Sequence, residues 1–115
     1  MKTIFAVYCG LIATVLAQSN RAHSPSYARP VEGQLSVRGS SAASDTYTVV
    51  RVKVFAPDGS EGQAIDGLVQ VGHDFIVALH TALAAGQSVE VCAVVDGVEI
   101  ACSNPVTVSL SLIHI

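Results

Sequence analysis

TYTVVRVKVFA, residues 46–56, is the stretch that decides the fold. Val50, Val52 and Val54 alternate with Arg51 and Lys53. In an extended chain successive side chains point to opposite sides, so the three valines share one face and the two cations the other. A strand of that kind buries one side and wets the other, the habit of antiparallel sheets. PDGSEG (57–62) follows at once and is turn chemistry. Pro57 cannot continue a ladder, and Asp58-Gly59 favours a tight reversal.

Working outward, the same reading repeats on both sides. Upstream, GQLSVRG (33–39) alternates around Leu35 and Val37, and SAASD (41–45) breaks the chain before the strong strand. Downstream lie two short apolar runs, AIDGLVQV (64–71) and DFIVALH (74–80), separated by Gly72-His73. TALAAGQ (81–87) is the one stretch suited to a helical turn, and Gly86 stops it. SVEVCAVV (88–95) and VEIAC (98–102) flank Asp96-Gly97, the strongest short hairpin signal in the chain. NPVTVSL (104–110) supplies a last strand, with Asn104-Pro105 marking its start. About seven short strands with regular turn signals predict an all-β fold, an antiparallel β-sandwich, with a small closed barrel as the alternative. A globular part of roughly 80 residues has a marginal core, and a covalent staple would help it.

The two ends read differently from the middle. MKTIFAVYCGLIATVLAQS has the parts of a secretory signal: Lys2 at the start, an apolar stretch from Ile4 to Leu16, and Val15-Leu16-Ala17 as a small-residue cleavage pattern. A retained anchor is the competing reading, but the run falls short of the roughly 20 residues a spanning helix needs. A lipid attachment at Cys9 is disfavoured by the bulky Tyr8 before it and by its early place in the apolar run. Residues 1–17 are therefore expected to be a signal peptide, preceding the fold as a helix, and 18–30 a flexible linker, being polar with two prolines and no period. The domain is expected over 31–109. The final six residues, LSLIHI, coincide with the codon-by-codon translation of a common sequencing-library adapter. An exposed Ile113-His114-Ile115 edge is also where natural strands prefer charge or proline. Residues 110–115 are thus expected to be a non-native tail, and the chain a fragment of a longer parent.

Composition excludes several functions. Of 115 residues half are apolar and 13% charged, unlike a disordered chain. Six Lys and Arg are spread without a cluster, against the concentrated basic face that nucleic acid requires. Three Tyr, three Phe and no Trp offer no stacking platform or sugar-binding shelf. Loss of the leader would remove Lys2, leaving five basic against nine acidic residues, a net charge of −4. It would also remove Cys9, leaving Cys92 and Cys102, which in an oxidising compartment read as a disulfide. Its register is open. A two-residue loop at Asp96-Gly97 would put the cysteines on opposite faces, whereas a three-residue loop or a bulge would set them directly opposite. Two separate buried thiols are the alternative.

Other chemistry is sparse. His73 and His80 are seven apart along a strand and so on opposite faces, and no Cys-His spacing suggests zinc. Asp45, Asp58, Glu61 and Asp66 could offer oxygen to calcium, but they fit no EF-hand, and Asp58 and Asp66 each precede glycine as turn formers do. Gly39-Ser40-Ser41 is no nucleophile elbow. A carboxylate-pair glycosidase would need a cleft that so small a sandwich can hardly enclose. The expectation is a non-enzyme without metal or cofactor.

Taken in order, the turn at Asp58-Gly59, the strand with Asp74, Phe75, Val77 and Leu79, the run Leu83, Gly86, Gln87, Val89, Val91, the hairpin Val95-Asp96-Gly97-Val98 and the closing Ser103 to Val108 resemble a bacterial Ig-like domain of secreted and cell-surface proteins. The resemblance covers roughly residues 31–109. It implies an Ig-like module of a larger extracellular protein, structural or adhesive, whose partners are neighbouring domains of that protein, with carbohydrate or a surface protein as further candidates. The alternatives are a complete small secreted binding protein and a metal-binding envelope protein. Nucleic acid is not an expected partner, and the membrane is met only through the signal segment.

Overall fold

In the computed structural model, which describes residues 22–110, the chain runs through eight strands: β1 (Ser26–Tyr27), β2 (Ser36–Ser40), β3 (Val49–Phe55), β4 (Glu61–Leu68), β5 (Asp74–Ala78), β6 (Ser88–Val95), β7 (Val98–Cys102) and β8 (Val106–Thr107). The decisive stretch behaves as its alternation demands. Val50, Val52 and Val54 are buried, while Arg51 and Lys53 lie on the other side of β3, partly exposed. β3 is flanked by β4 and β6 in a five-stranded sheet of order β4-β3-β6-β7, with β8 also on β6; β1-β2-β5 form a separate three-stranded sheet. Every pairing between these strands is antiparallel. The fold is a β-sandwich and not a closed barrel.

The core lies between the sheets. Val37, Phe75, Val77 and Leu79 of one layer meet Val50, Val52, Val54, Val89, Val91 and Ala93 of the other, with Tyr47, Leu83 and Val108 closing the sides. Each such valine or phenylalanine taken out of water contributes roughly 1.5–3 kcal/mol against the chain entropy. Two glycines make room, Gly39 for its strand neighbours within the three-stranded sheet and Gly67 for the opposite layer. A Cβ on Gly39 would meet Phe75 Cζ at 2.7 Å and the Ser26 carbonyl, and one on Gly67 would meet Val77 Cγ2 at 2.6 Å. The first, second and fifth strands in one sheet, opposite the third, sixth and seventh, give the order of an immunoglobulin-like sandwich. The fourth strand joins the third, as the extra strand of the variable type does.

Turns follow the residues that allow them. Asp96 and Gly97 both take left-handed angles (φ 52° and 79°), as a two-residue hairpin loop needs. Asp58 Oδ1 accepts from the Ser60 backbone N–H (2.9 Å) and hydroxyl (2.7 Å), fixing the β3–β4 turn. TALAAGQ forms no helix. A turn closed by Gln87 N–H on the Ala84 carbonyl takes its place, and Gly86 packs against Pro57. Leu35, expected to alternate into the sheet with Val37, is 59% exposed just before β2. The expected last strand is only β8; Asn104-Pro105 interrupts the edge, so β7 and β8 line successive halves of β6.

Part of the expected linker belongs to the sandwich. β1 pairs with β2, the Tyr27 hydroxyl donates to the Val89 carbonyl (2.8 Å), Ala22 packs on the core and Pro30 is fully buried. Polar side chains and prolines mark lack of period, not lack of contact, and here backbone bonds and one phenol dock the segment. Val31 then pairs in parallel with Ser109: Glu32 N–H donates to the Ser109 carbonyl (2.9 Å) and Ser109 N–H to that of Pro30 (3.0 Å). The segment thereby touches both sheets. The expected signal helix (1–17), the first linker residues and tail positions 111–115 lie outside the described residues. Leu110, the first residue of the expected tail, is exposed.

Candidate functional site: the outer face of the five-stranded sheet

Residues that pair across neighbouring strands share a face, so the register of β4, β3, β6 and β7 places one row on the solvent side: Asp66, Arg51, Cys92 and Cys102. The next row holds Ala64, Lys53 and Glu90. The cysteines form a disulfide, with Cα atoms 4.0 Å apart. Their register reconciles two geometries that the sequence set against each other. The loop has two residues, with Val95 opposite Val98, yet Cys92 faces Cys102 because the pairing shifts between Ala93 and Val94. Val94 pairs with Glu99 and Ala93 with Ala101, so Ile100 is the extra residue of a bulge. Ser103 N–H donates to the Val91 carbonyl and the Ser103 hydroxyl accepts from Val91 N–H, so the cysteines occupy the adjacent, non-bonded position where opposed side chains come closest.

Charge covers the bridge. Arg51 grips Asp66 in a two-point pair (Nε–Oδ1 2.7 Å, Nη2–Oδ2 3.1 Å) and reaches Glu99 Oε2 with its other nitrogen at 3.2 Å. Lys53 Nζ lies 3.0 Å from both Glu90 Oε1 and Glu99 Oε1. Hydrogen bonding from Arg51 holds the Asp66 carboxyl below its usual range, and Lys53, then Arg51, does the same for Glu99. The bond to Glu99 raises Lys53 in turn, and Asp66 followed by Glu99 raises Arg51. Cys92 is fully buried beneath this lattice, whereas Cys102 is exposed. Glu90, Cys92 and Cys102 bring their ligand atoms within 4.8 Å of one another, the one such metal-ligating group among the described residues.

The remaining candidates are dispersed. Asp58 is a turn former, as its glycine neighbour suggests. Asp66 is not: it stands mid-strand in β4, and Gly67 after it serves the approach of Val77. Asp45 is 8% exposed and holds His23 instead, through its backbone N–H (3.2 Å) and ring Nδ1 (3.4 Å). His80 gives only its backbone N–H, to Gln63. A polar cluster at the end of the sandwich went unseen in the sequence. Ser41 Oγ sits 3.0 Å from His73 Nδ1, and Ser41 N–H donates to the His73 carbonyl at 2.8 Å. His73 is held at φ 73°, a left-handed conformation these bonds secure. Tyr47 has its hydroxyl buried beside Ser41 with no well-formed hydrogen bond among the described residues, and burial, then the Asp45 charge, raises its pKa against the opposing pull of Ser41. Among the described residues no acid is hydrogen-bonded to the His73 ring, and Asp45 is bonded to His23; the Ser41–His73 bonds lock a turn.

A third feature is a depression of about 440 Å³ on the three-stranded sheet. Arg38, Ser40, Asp74 and Ile76 line it along β2 and β5, with Ser26 and Ala28 at its edge. No family model matches the chain, and the search of curated proteins found no significant relative.

Proposed function

We propose that this chain is a secreted, non-catalytic module of the bacterial Ig-like type, acting as a rigid spacer or adhesive unit within a larger extracellular protein. The observation that carries this reading is where the chain enters and leaves. His23 lies against Asp45, at the end holding the β2–β3 loop and, through Val49 opposite Val94, the β6–β7 turn. Val108 and Ser109 run past Gln87 and Pro30, at the end holding the β3–β4 turn and, through Phe55 opposite Ser88, the β5–β6 connection. Covalent neighbours on the two sides would therefore lie in line, as in a string of modules. A disulfide under an ion lattice suits an oxidising, extracellular setting.

The test is expression of the full chain in an exporting host. Recovery outside the cytoplasm, with a mass showing cleavage after Ala17 and one disulfide, is the expected result. Retention in the cytoplasm with free thiols overturns the secreted reading, and hydrolysis of any ester, peptide or glycoside substrate in a panel overturns the non-catalytic one.

The depression on β2 and β5 favours a second reading, a small binding protein. Arg38 and Asp74, beside the exposed Ile76, offer both charges and an apolar floor to a carbohydrate or a peptide. Binding on a glycan or peptide array that is lost in Arg38→Ala and Asp74→Asn would select it over the spacer.

A further inference from the structure

The lattice on the outer face leaves one piece of chemistry unused. Two sulfurs and two carboxylates converge there. Glu90 Oε1 lies 3.8 Å from Cys92 Sγ, and Glu99 Oε1 3.7 Å from Cys102 Sγ. Tetrahedral zinc with thiolate and carboxylate ligands separates neighbouring sulfur and oxygen donors by roughly 3.6 Å. One carboxylate oxygen thus already stands near coordination spacing from each sulfur: Glu90 belongs to the compact group with Cys92 and Cys102, and Glu99 flanks it beside Cys102. A cation already stands at the carboxylates too: the Lys53 ammonium, 3.0 Å from an oxygen of each. What the oxidised protein lacks is thiolate.

We propose that reduction of the Cys92–Cys102 disulfide converts this corner into a site for a soft divalent cation of the zinc class, held by Cys92, Cys102, Glu90 and Glu99. The reductant is a dithiol, attacking the exposed Cys102 sulfur. The dithiol gives two electrons and two protons to the disulfide and becomes a cyclic disulfide, leaving two cysteine thiols. Opening the bond frees the sulfurs to part to roughly 3.8 Å, the spacing of two thiolates on one zinc. Binding releases the two thiol protons to solvent. The divalent ion displaces the Lys53 ammonium, whose four-carbon stem can swing outward. Arg51 keeps its hold on Asp66 and on the second oxygen of Glu99, aiming that carboxylate as outer-shell groups do. The site is therefore gated by oxidation state, and the ammonium competes for it.

Cadmium titration of the full chain tests this, with Cys9→Ser in every sample so that only two thiols remain. The protein is reduced with a phosphine, and the thiolate-to-cadmium band in the ultraviolet is followed together with the β signal in circular dichroism. Expected is one cadmium per folded chain, no band from the oxidised protein, and affinity weaker by about tenfold or more in Glu90→Gln and in Glu99→Gln. Lys53→Met, which removes the competing cation, should bind more tightly. Absence of the band, one cadmium shared by two chains, affinity unchanged in the Glu90→Gln/Glu99→Gln double variant, or binding only after the β signal is lost would each overturn the proposal.

Discussion

Arg51 is the residue on which the outer lattice turns, since it holds Asp66 at two points and shares Glu99 with Lys53. Asp66 and Glu99 titrate below their unfolded values near 3.8 and 4.5, so their contribution to stability is present above those values and is lost as pH falls through the lower folded ones. The melting temperature of the native chain should therefore drop on acidification below about pH 4.5, and Arg51→Met should flatten that drop. Thermal melts of both proteins between pH 2 and 7 check it. Lys53 has the opposite sign: its raised value protects the fold up to strongly alkaline pH, where deprotonation removes the benefit. Gly39 makes a sharper demand. A methyl there would be driven into Phe75 and the β1 backbone, so Gly39→Ala should cost about 1–3 kcal/mol, read as a lowered urea midpoint with an unchanged slope.

At the scale of elements, the strands that were legible carry their own period. β3 and β6 alternate or run apolar, and burial simply sorts their side chains. β1 was not legible, because SPSYARP has no period and its anchor lies 62 residues away on Val89. Tyr27→Phe should cost about 1 kcal/mol by equilibrium denaturation, the usual worth of one hydrogen bond. The bulge at Ile100 was illegible for a related reason. Nothing local encodes it, and the disulfide and hairpin loop must both be satisfied before it is required. A bridge between residues 10 apart should contribute roughly 3 kcal/mol by loop-closure entropy. Cys92→Ser/Cys102→Ser should lower stability by that amount in chemical denaturation, and added reductant should then have no further effect.

For the whole molecule, fold class and the disulfide partners could be read from the chain, while the outer face could not. Three of its ion pairs join positions 15, 46 and 48 residues apart, and only the sheet register makes Asp66, Arg51, Lys53 and Glu99 neighbours. Asp66 before a glycine therefore looked like a turn, and Ser41 and His73 looked unrelated. If the module is a spacer, two copies joined through their natural ends should scatter X-rays as an elongated particle; a compact side-by-side pair would contradict that. The parallel contact of Val31 with Ser109 bears on the same geometry. Tension applied to the two ends would run along these strands, loading the bonds of Glu32 and Ser109 together and in shear instead of opening them one by one like a zipper. Resistance to stretching would then reside in that small seam, and a proline placed at Ser109, which removes one of its donors, should let the module yield at lower force while its thermal stability changes far less.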